Sequence, residues 1–473
     1  MKKKYNKIFL ITIDALRKDF VNEENAPFLT NLGKKGINFE NCFTAGPNTP
    51  PSFRALLGGV YPLQYGLRIQ TPPKIEMVNE VLKRNKYYTI GIHSNPWLTS
   101  HFGYGRGFNV FETYSTGHRK SRRLGKELKT KIINIIGRDS RIYKILAKIY
   151  KKIIPTIDLF LPAKAPYIRC EKINSNAINA LKNTNKEKIF CWTHYMEVHS
   201  PYYPKTKKVS DFKKKKTMKE LRKIKTGGSA SKKLIEDVKK LYRMEIKEID
   251  SELKKYINGL LRKYGEEALF IITADHGEEF YEHGNFTHIN FPYDELMKVP
   301  LIIYSKNIEE KVDKKMHSTI DLPSTILDFA SVEKPPSYKG KNLFKNEREF
   351  VICQGIGRDY GSKWSWDILK GDYELDEFYP INCYRDKKYK LIYSEKGEEL
   401  YNIEKDPEEK KKLSIKENSE LVKKFKKRVK EETKTENTEK NIEELKNTDI
   451  EDKNEKDQNK EKIKERLKAL GYI

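Results

Sequence analysis

The chain has 473 residues, 37% of them hydrophobic and 11% aromatic, which is enough for a sizeable core and excludes a wholly disordered protein. Its 94 Lys and Arg against 67 Asp and Glu leave a net charge of +27, which favours anionic partners and says nothing about fold. Five scattered cysteines (Cys42, Cys170, Cys191, Cys353, Cys383) with no CxxC pair argue against a disulfide framework and a cysteine zinc site.

The first apolar run, Ile8–Ile13, meets Asp14 and Arg17 at once. It is too short for a secretory leader and reads as a buried strand. Residues 46–62, GPNTPPSFRALLGGVYP, read as a Pro-rich turn opening into a short helix with Thr49, Ser52 and Arg54 near its start. A hydroxyl there sits in the positive potential of a helix N-terminus; the plainer reading is an N-cap from Thr49 or Ser52. A second strand, Tyr88–His93, leads directly to Ser94 and Asn95. Residues 113–170 are strongly basic, with Ile142, Ile145, Leu146, Ile149 and Ile153 forming a helical stripe stopped by Pro155. They read as a helical insertion packed on the domain, or as a surface helix making peripheral contact with an anionic membrane.

A third strand, Ile189–Thr193, ends at His194, with Glu197 and His199 just beyond. Residues 205–232 are Lys-rich, end near Gly227 and Gly228, and read as a mobile basic loop. Apolar residues from Leu234 to Leu260 recur at helical spacing and predict one long amphipathic helix. The fourth strand, Leu269–Thr273, runs into Asp275 and His276. Beyond it Glu278, Glu279 and Glu282 read as a solvated helix face, and His283 and His288 add two imidazoles. Val299–Tyr304 is a fifth strand. From residue 415 the chain turns to Lys, Glu, Asn, Asp and Thr; 432–460 should be disordered or a solvated helix, and IKERLKALGYI a short terminal helix. With no apolar stretch of membrane-spanning length, a cytoplasmic protein is the default expectation.

Strands alternating with helices predict an α/β fold around a mostly parallel sheet. Such sheets bind ligands at the carboxyl ends of their strands. Here four strand ends carry Asp14, Asn95, His194 and the pair Asp275-His276. Asp14, Asp275 and His276 form an O,O,N donor set suited to a divalent cation. The plainer alternative makes Asp14 the cap of a helix beginning at Ala15 and Asp275-His276 a turn.

In order along the chain, these segments resemble the sulfatase family of the alkaline phosphatase superfamily. IFLITIDALRKDF is similar to its opening metal-binding strand, and APFLTNLGKKGINFENCFT to the stretch that follows. TPPSFRALLGGVYP lies where the family has its nucleophile motif. FCWTHYMEVHSPYYP resembles its substrate-histidine segment and IITADHGEEFYEHGNFTHINFPYDELMKVPLII its second metal segment. STIDLPSTILDFASVEKPPSYKGKNL and ELYNIEKDPEEKKKLS resemble its later motifs.

The resemblance implies a large, mostly parallel mixed sheet flanked by helices over residues 1–345. A small C-terminal antiparallel sheet with a helix would span 346–415, followed by a charged helical or disordered tail over 416–473. It implies that Asp14, Thr49, Asp275 and His276 hold one divalent metal ion, with manganese, magnesium, calcium and zinc all open. Thr49 falls on the nucleophile position, and His199 and His288 on substrate-histidine and substrate-lysine positions. Asn95, His194 and His283 complete the expected substrate contacts.

Thr49 cannot mature to formylglycine, because its β-carbon bears a methyl, and Phe53 stands where the maturation motif has Arg. The expected activity is therefore hydrolysis of a phosphodiester or phosphonate ester, or head-group phosphotransfer, through a covalent Thr49 intermediate. His199, His194 or His288 would protonate the leaving oxygen. The substrate would be a small or lipid- or sugar-linked anionic ester. One alternative is a sulfuric ester hydrolase with an unmodified threonine; another is a non-catalytic, polyanion-binding protein on the same fold. The surplus charge lies in loops rather than in a reader motif with interleaved aromatics, which argues against nucleic acid.

Overall fold

Each apolar run of the sequence forms a strand, and the most apolar of them lie at the centre of one sheet. In chain order the strands are β1 (Lys7–Ile13), β2 (Ile37–Phe43), β3 (Tyr88–His93), β4 (Val110–Thr113), β5 (Ile189–Tyr195), β6 (Ala268–Ala274), β7 (Glu279–Phe280), β8 (Phe286–Thr287), β9 (Lys298–Tyr304), β10 (Lys311–Ser318), β11 (Val351–Arg358), β12 (Phe378–Arg385), β13 (Tyr389–Ser394) and β14 (Gly397–Asn402). The computed structural model describes residues 4–66, 70–114, 163–224, 229–288, 291–345, 347–358 and 378–434.

The large sheet has the order β10-β2-β9-β6-β1-β5-β3-β4. β6, β1, β5, β3 and β4 run parallel, while β9 is antiparallel to both β6 and β2. β1, β5 and β6 are buried along their whole length, which is why they read as unbroken apolar runs rather than alternating ones. The helix Lys232–Tyr264 buries Leu234, Val238, Leu241, Ile246, Ile249, Leu253, Ile257 and Leu260. Ser231 caps its start by accepting from the Leu234 N–H, and Gly265, at φ +56, follows its end.

The register of the parallel strands positions the site. Ile13 pairs with Tyr195 on one side and with Ala274 on the other. Asp14 and Asp275 therefore leave neighbouring strands at the same level. His93 pairs with His194 in the next ladder.

A second sheet, β11-β12-β13-β14, is antiparallel throughout. The helix Ser419–Thr433 covers it through buried Val422, Phe425 and Val429, and Phe425 stacks on Tyr384 at 4.1 Å. The folded body thus continues past residue 415, into the stretch expected to be tail. Its apolar residues recur at helical spacing, but the lysines and glutamates between them conceal the stripe.

Residues 211–224 form a helix and not the expected loop. Lys214, Thr217, Met218 and Leu221 make its buried face, and the Lys214 ammonium is held by the Thr206 carbonyl and Asp211. The basic stripe Ile142–Ile153, Gly227-Gly228 and the terminal IKERLKALGYI lie outside the described residues. Among the described residues no helix is long and apolar enough to cross a membrane.

Candidate active site

Asp14 and Asp275 are fully buried at the ends of β1 and β6. No helix begins at Ala15; that residue instead turns the chain with φ +58. A non-glycine residue in this region carries backbone strain, and such strain concentrates at functional sites. The turn aims the Ala15 N–H at Asp275 Oδ1, at 3.2 Å, while the Tyr242 hydroxyl donates to the Ala15 carbonyl at 2.7 Å. The His276 N–H also donates to Asp275 Oδ1, at 3.0 Å.

Thr49 is the first residue of the helix Thr49–Gly58, where the backbone dipole is positive. Its Oγ1 lies 3.0 Å from Asp275 Oδ2, and 3.4 Å from both Asp14 Oδ2 and His276 Nε2. Ser52 ties the same helix to the strand end by donating to the Asp275 carbonyl at 2.6 Å. The turn entering the helix is tight: a β-carbon on Gly46 would fall 2.4 Å from the Ser52 nitrogen. Arg54 points away and donates to the carbonyls of Pro62 and Gln70.

The histidines divide by their partners. His194 is fully buried, with Nδ1 2.9 Å from Thr12 Oγ1 and Nε2 3.3 Å from Asp14 Oδ2. Burial lowers its pKa to about 4, so it is neutral in the physiological range and suits a ligand better than a proton donor. His276 Nδ1 faces the Gly277 carbonyl at 2.8 Å, leaving Nε2 at 3.6 Å from Asp14 Oδ1 and 3.5 Å from Asp275 Oδ2. Burial opposes charge on His276, but Asp275 and Asp14 outweigh it and raise its pKa. The His199 and His288 rings lie 4.9 Å apart, and His288 lies 4.4 Å from His276.

The charges at this strand edge are left unbalanced. Burial, and then the facing Asp275 carboxylate, push the Asp14 carboxyl well above its ordinary range. Asp14 Oδ1 is buried without a hydrogen-bond partner. Ligand atoms of Asp14, Asp275 and His194 lie within 4.8 Å of one another. Two carboxylates, a hydroxyl and flanking imidazoles fit a divalent cation, which would relieve both the like-charge contact and the orphaned oxygen.

Of the expected metal set, Asp14, Thr49, Asp275 and His276 converge, and His194 lies with them. The Asn95 side chain donates to Asp14 Oδ2 at 2.7 Å and accepts from the Trp97 N–H, so it also orients a carboxylate. His283 stacks on Tyr293 at 3.6 Å and faces Glu295 at 3.4 Å, in a group completed by Glu409. Lys390 Nζ lies 2.7 Å from Glu409 there.

The expected solvated face at Glu278, Glu279 and Glu282 is absent. Glu278 and Glu279 are 0% and 2% exposed, and Glu282 pairs with Arg17. Around the β7–β8 hairpin Glu278 accepts the Tyr202 hydroxyl and Glu279 the N–H groups of His283 and Asn285. Charge density along the chain carries no sign of that reversal. Glu278, 3.0 Å from His288 Nδ1, and Tyr202, bonded to it, lie beside the candidate site and were not identified by spacing.

The family described as Sulfatase matches residues 7–332. The chain belongs to the sulfatase family. A second family, N-sulphoglucosamine sulphohydrolase, C-terminal, matches residues 281–435 of this sulfatase-family protein. It is 28% identical over 190 residues to an arylsulfatase of Clostridium perfringens, covering 38% of this chain and 37% of that protein. It is also 28% identical over 180 residues to a Δ4,5-hexuronate-2-O-sulfatase of Bacteroides thetaiotaomicron, covering 36% and 35%. The matches thus span about a third of the length of these curated relatives. The phosphonate monoester hydrolase of Agrobacterium radiobacter shares the fold, with a TM-score of 0.66 at 16% identity, over 90% of this chain and 95% of that one.

Proposed function

We propose that this sulfatase-family protein is a metal-dependent hydrolase or transferase of anionic esters, and that its substrate is a phosphodiester or phosphonate monoester. The observation that carries the reading is Thr49 Oγ1 at a helix N-terminus, within 3.4 Å of Asp14, Asp275 and His276. A hydroxyl is a weak nucleophile until its proton is removed, and Asp275 Oδ2 at 3.0 Å is placed to accept that proton. A bound divalent cation supplies alkoxide stabilisation and charge neutralisation in such a site.

Thr49 Oγ1 forms the new bond to phosphorus in line with the departing oxygen, and the ester P–O bond breaks. His199 or His288 delivers a proton to the leaving alkoxide. Water, or a lipid or sugar alcohol, then attacks the phospho-threonine and returns the hydroxyl to Thr49. A threonine ester cannot collapse to a carbonyl as a formylglycine hydrate can, so release requires attack on the transferred centre. That requirement favours phosphorus. Among the described residues the cluster's polar partners are imidazoles and an amide rather than lysine or arginine, which suits a singly charged ester. The fold likeness to a phosphonate monoester hydrolase agrees with this choice. Sulfate-ester hydrolysis is the second reading, and the names of the curated relatives speak for it.

The test is turnover of a bis-aryl phosphate, an aryl phosphonate monoester and an aryl sulfate by metal-stripped protein resupplied with single divalent ions. Thr49→Ala runs beside it. Metal-dependent turnover of the diester or phosphonate that vanishes in Thr49→Ala is expected. Turnover of the sulfate alone favours the second reading. Undiminished activity in Thr49→Ala would sink the covalent route.

A further inference from the structure

The helix Asp211–Ile224 has two faces of opposite character. Lys214, Thr217, Met218 and Leu221 form the buried one. Phe212, Lys216, Lys219 and Lys223 follow one another at spacings of three or four on the other side, with Arg222 beside them, and all five are exposed. Phe212 is 39% exposed. The helix holds six lysines and one arginine against two carboxylates, Asp211 and Glu220. Asp211 is taken up by Lys214 at 3.0 Å and by the Ala163 N–H at 3.1 Å. Lys213 pairs with Asp237 at 3.0 Å. Among the described residues Lys216, Lys219 and Arg222 form no ion pair, and neither do Lys207 and Lys208 in the loop just before the helix. The buried face holds this charge in place. The Tyr202 N–H donates to Met218 Sδ at 3.3 Å, which ties the helix to the segment that follows His199.

Like charges fixed along one helix face repel one another and are stabilised by a surface of opposite sign. A second observation bears on which surface that is. Residues 115–162, outside the described ones, contain 13 Lys and Arg against three carboxylates, interspersed with isoleucines. The chain leaves that segment at Ala163, bonded to Asp211 and so next to Phe212. A soluble polyanion engages cations alone, whereas a bilayer surface also takes aromatic and aliphatic side chains. We propose that the outer face of the helix Asp211–Ile224 docks on an anionic phospholipid bilayer, with Lys216, Lys219, Arg222 and Lys223 among the head groups and Phe212 at the acyl boundary. The docking does not depend on the ester chemistry proposed above.

The test is co-sedimentation of the full chain with vesicles of phosphatidylcholine alone or with about a quarter phosphatidylglycerol, at about 0.1 M salt, where exposed charges are screened beyond about 10 Å. The wild type should bind the anionic vesicles, ignore the neutral ones and be released as salt rises. Replacing Lys216, Lys219 and Arg222 together by glutamine should weaken binding about 100-fold, from roughly 5-fold per basic residue. Phe212→Ser leaves the charge unchanged and should still weaken it several-fold. These side chains are exposed, so an unchanged urea midpoint confirms that each variant is folded. Dextran sulfate serves as the soluble polyanion, and Phe212→Ser should leave its binding unaltered. Three results overturn the proposal. One is a wild type that ignores the anionic vesicles, which makes the face merely solvated. Another is a triple variant that binds them as the wild type does, which places the contact elsewhere on the chain. The third is a Phe212→Ser variant that binds them undiminished, which makes the face a site for soluble polyanions.

Discussion

Two buried aspartates in this molecule, Asp294 and Asp14, have opposite electrostatics. Asp294 and Glu409 lie at the seam between the two sheets with Lys390 and Arg385. Lys390 is fully buried, 2.9 Å from Asp294 and 2.7 Å from Glu409, and Arg385 adds a bond of 2.8 Å to Asp294. Two carboxyls meet two cations there, and burial still raises Glu409 to about 7 despite Lys390, so it is Asp294 that takes the cations' charge. Burial alone would raise the Asp294 pKa, but Lys390 and Arg385 overcome it and hold it well below the ordinary range. At the strand edge Asp14 and Asp275 face each other without such partners, and the Asp14 pKa moves up. Fully paired buried charge holds a structure together; unpaired buried charge costs stability and persists where a ligand or a reaction needs it.

The contrast fails first if the strand-edge carboxylates prove structural. Asp275→Asn should cut turnover on the order of 10³-fold or more, as expected of one member of a unit that acts together. Its metal-free melting temperature should hold or rise, since a like-charge contact is relieved. A large drop in melting temperature would place Asp275 with the structural group. Lys390→Met should do the reverse: it leaves Asp294 and Glu409 facing one another and should cost about 3–5 kcal/mol in urea unfolding. Turnover per folded molecule should change little.

Added divalent cation sharpens the contrast. It should stabilise the wild type by about 2.7 kcal/mol at one hundred times its dissociation constant, and leave Asp14→Asn nearly unmoved. Scanning calorimetry across a metal titration checks this. The smallest effect concerns a paired carboxylate elsewhere. Burial of Asp313 opposes its charge, but hydrogen bonds from His317, Lys311 and the Lys315 N–H outweigh it and lower its pKa to about 2. Its folded pKa lies below the unfolded one, so its contribution is full above about pH 4 and lost as pH falls toward 2. Asp313→Asn should flatten acid unfolding over that window by about 2 kcal/mol.

Much of the centre was legible because the central strands are buried on both faces and carry no polar alternation. The edges were not. β10 reads KVDKKMHS, in which the exposed lysines of an edge strand hide the pattern, and the other edge strand, β4, and β10's inner neighbour β2 were equally silent. The same charge density hid the helices Asp211–Ile224 and Ser419–Thr433, each of which shows only a narrow buried stripe.

By itself the sequence placed Asp14, Asn95, Asp275 and His276 just past the ends of central strands and His194 near one, although β5 runs on through Tyr195. It did so because strand ends in a parallel sheet can be read from where apolar runs stop. Only the tertiary structure decided what those residues do together. In-register pairing set Asp14 beside Asp275. Partner geometry set His194 and Asn95 against Asp14 and His283 against Glu295. Around the β7–β8 hairpin Glu278 came to lie 3.0 Å from His288 Nδ1. Spacing along a chain carries no information about which way a carboxylate faces once a short hairpin folds back, because that direction is set by what packs against it.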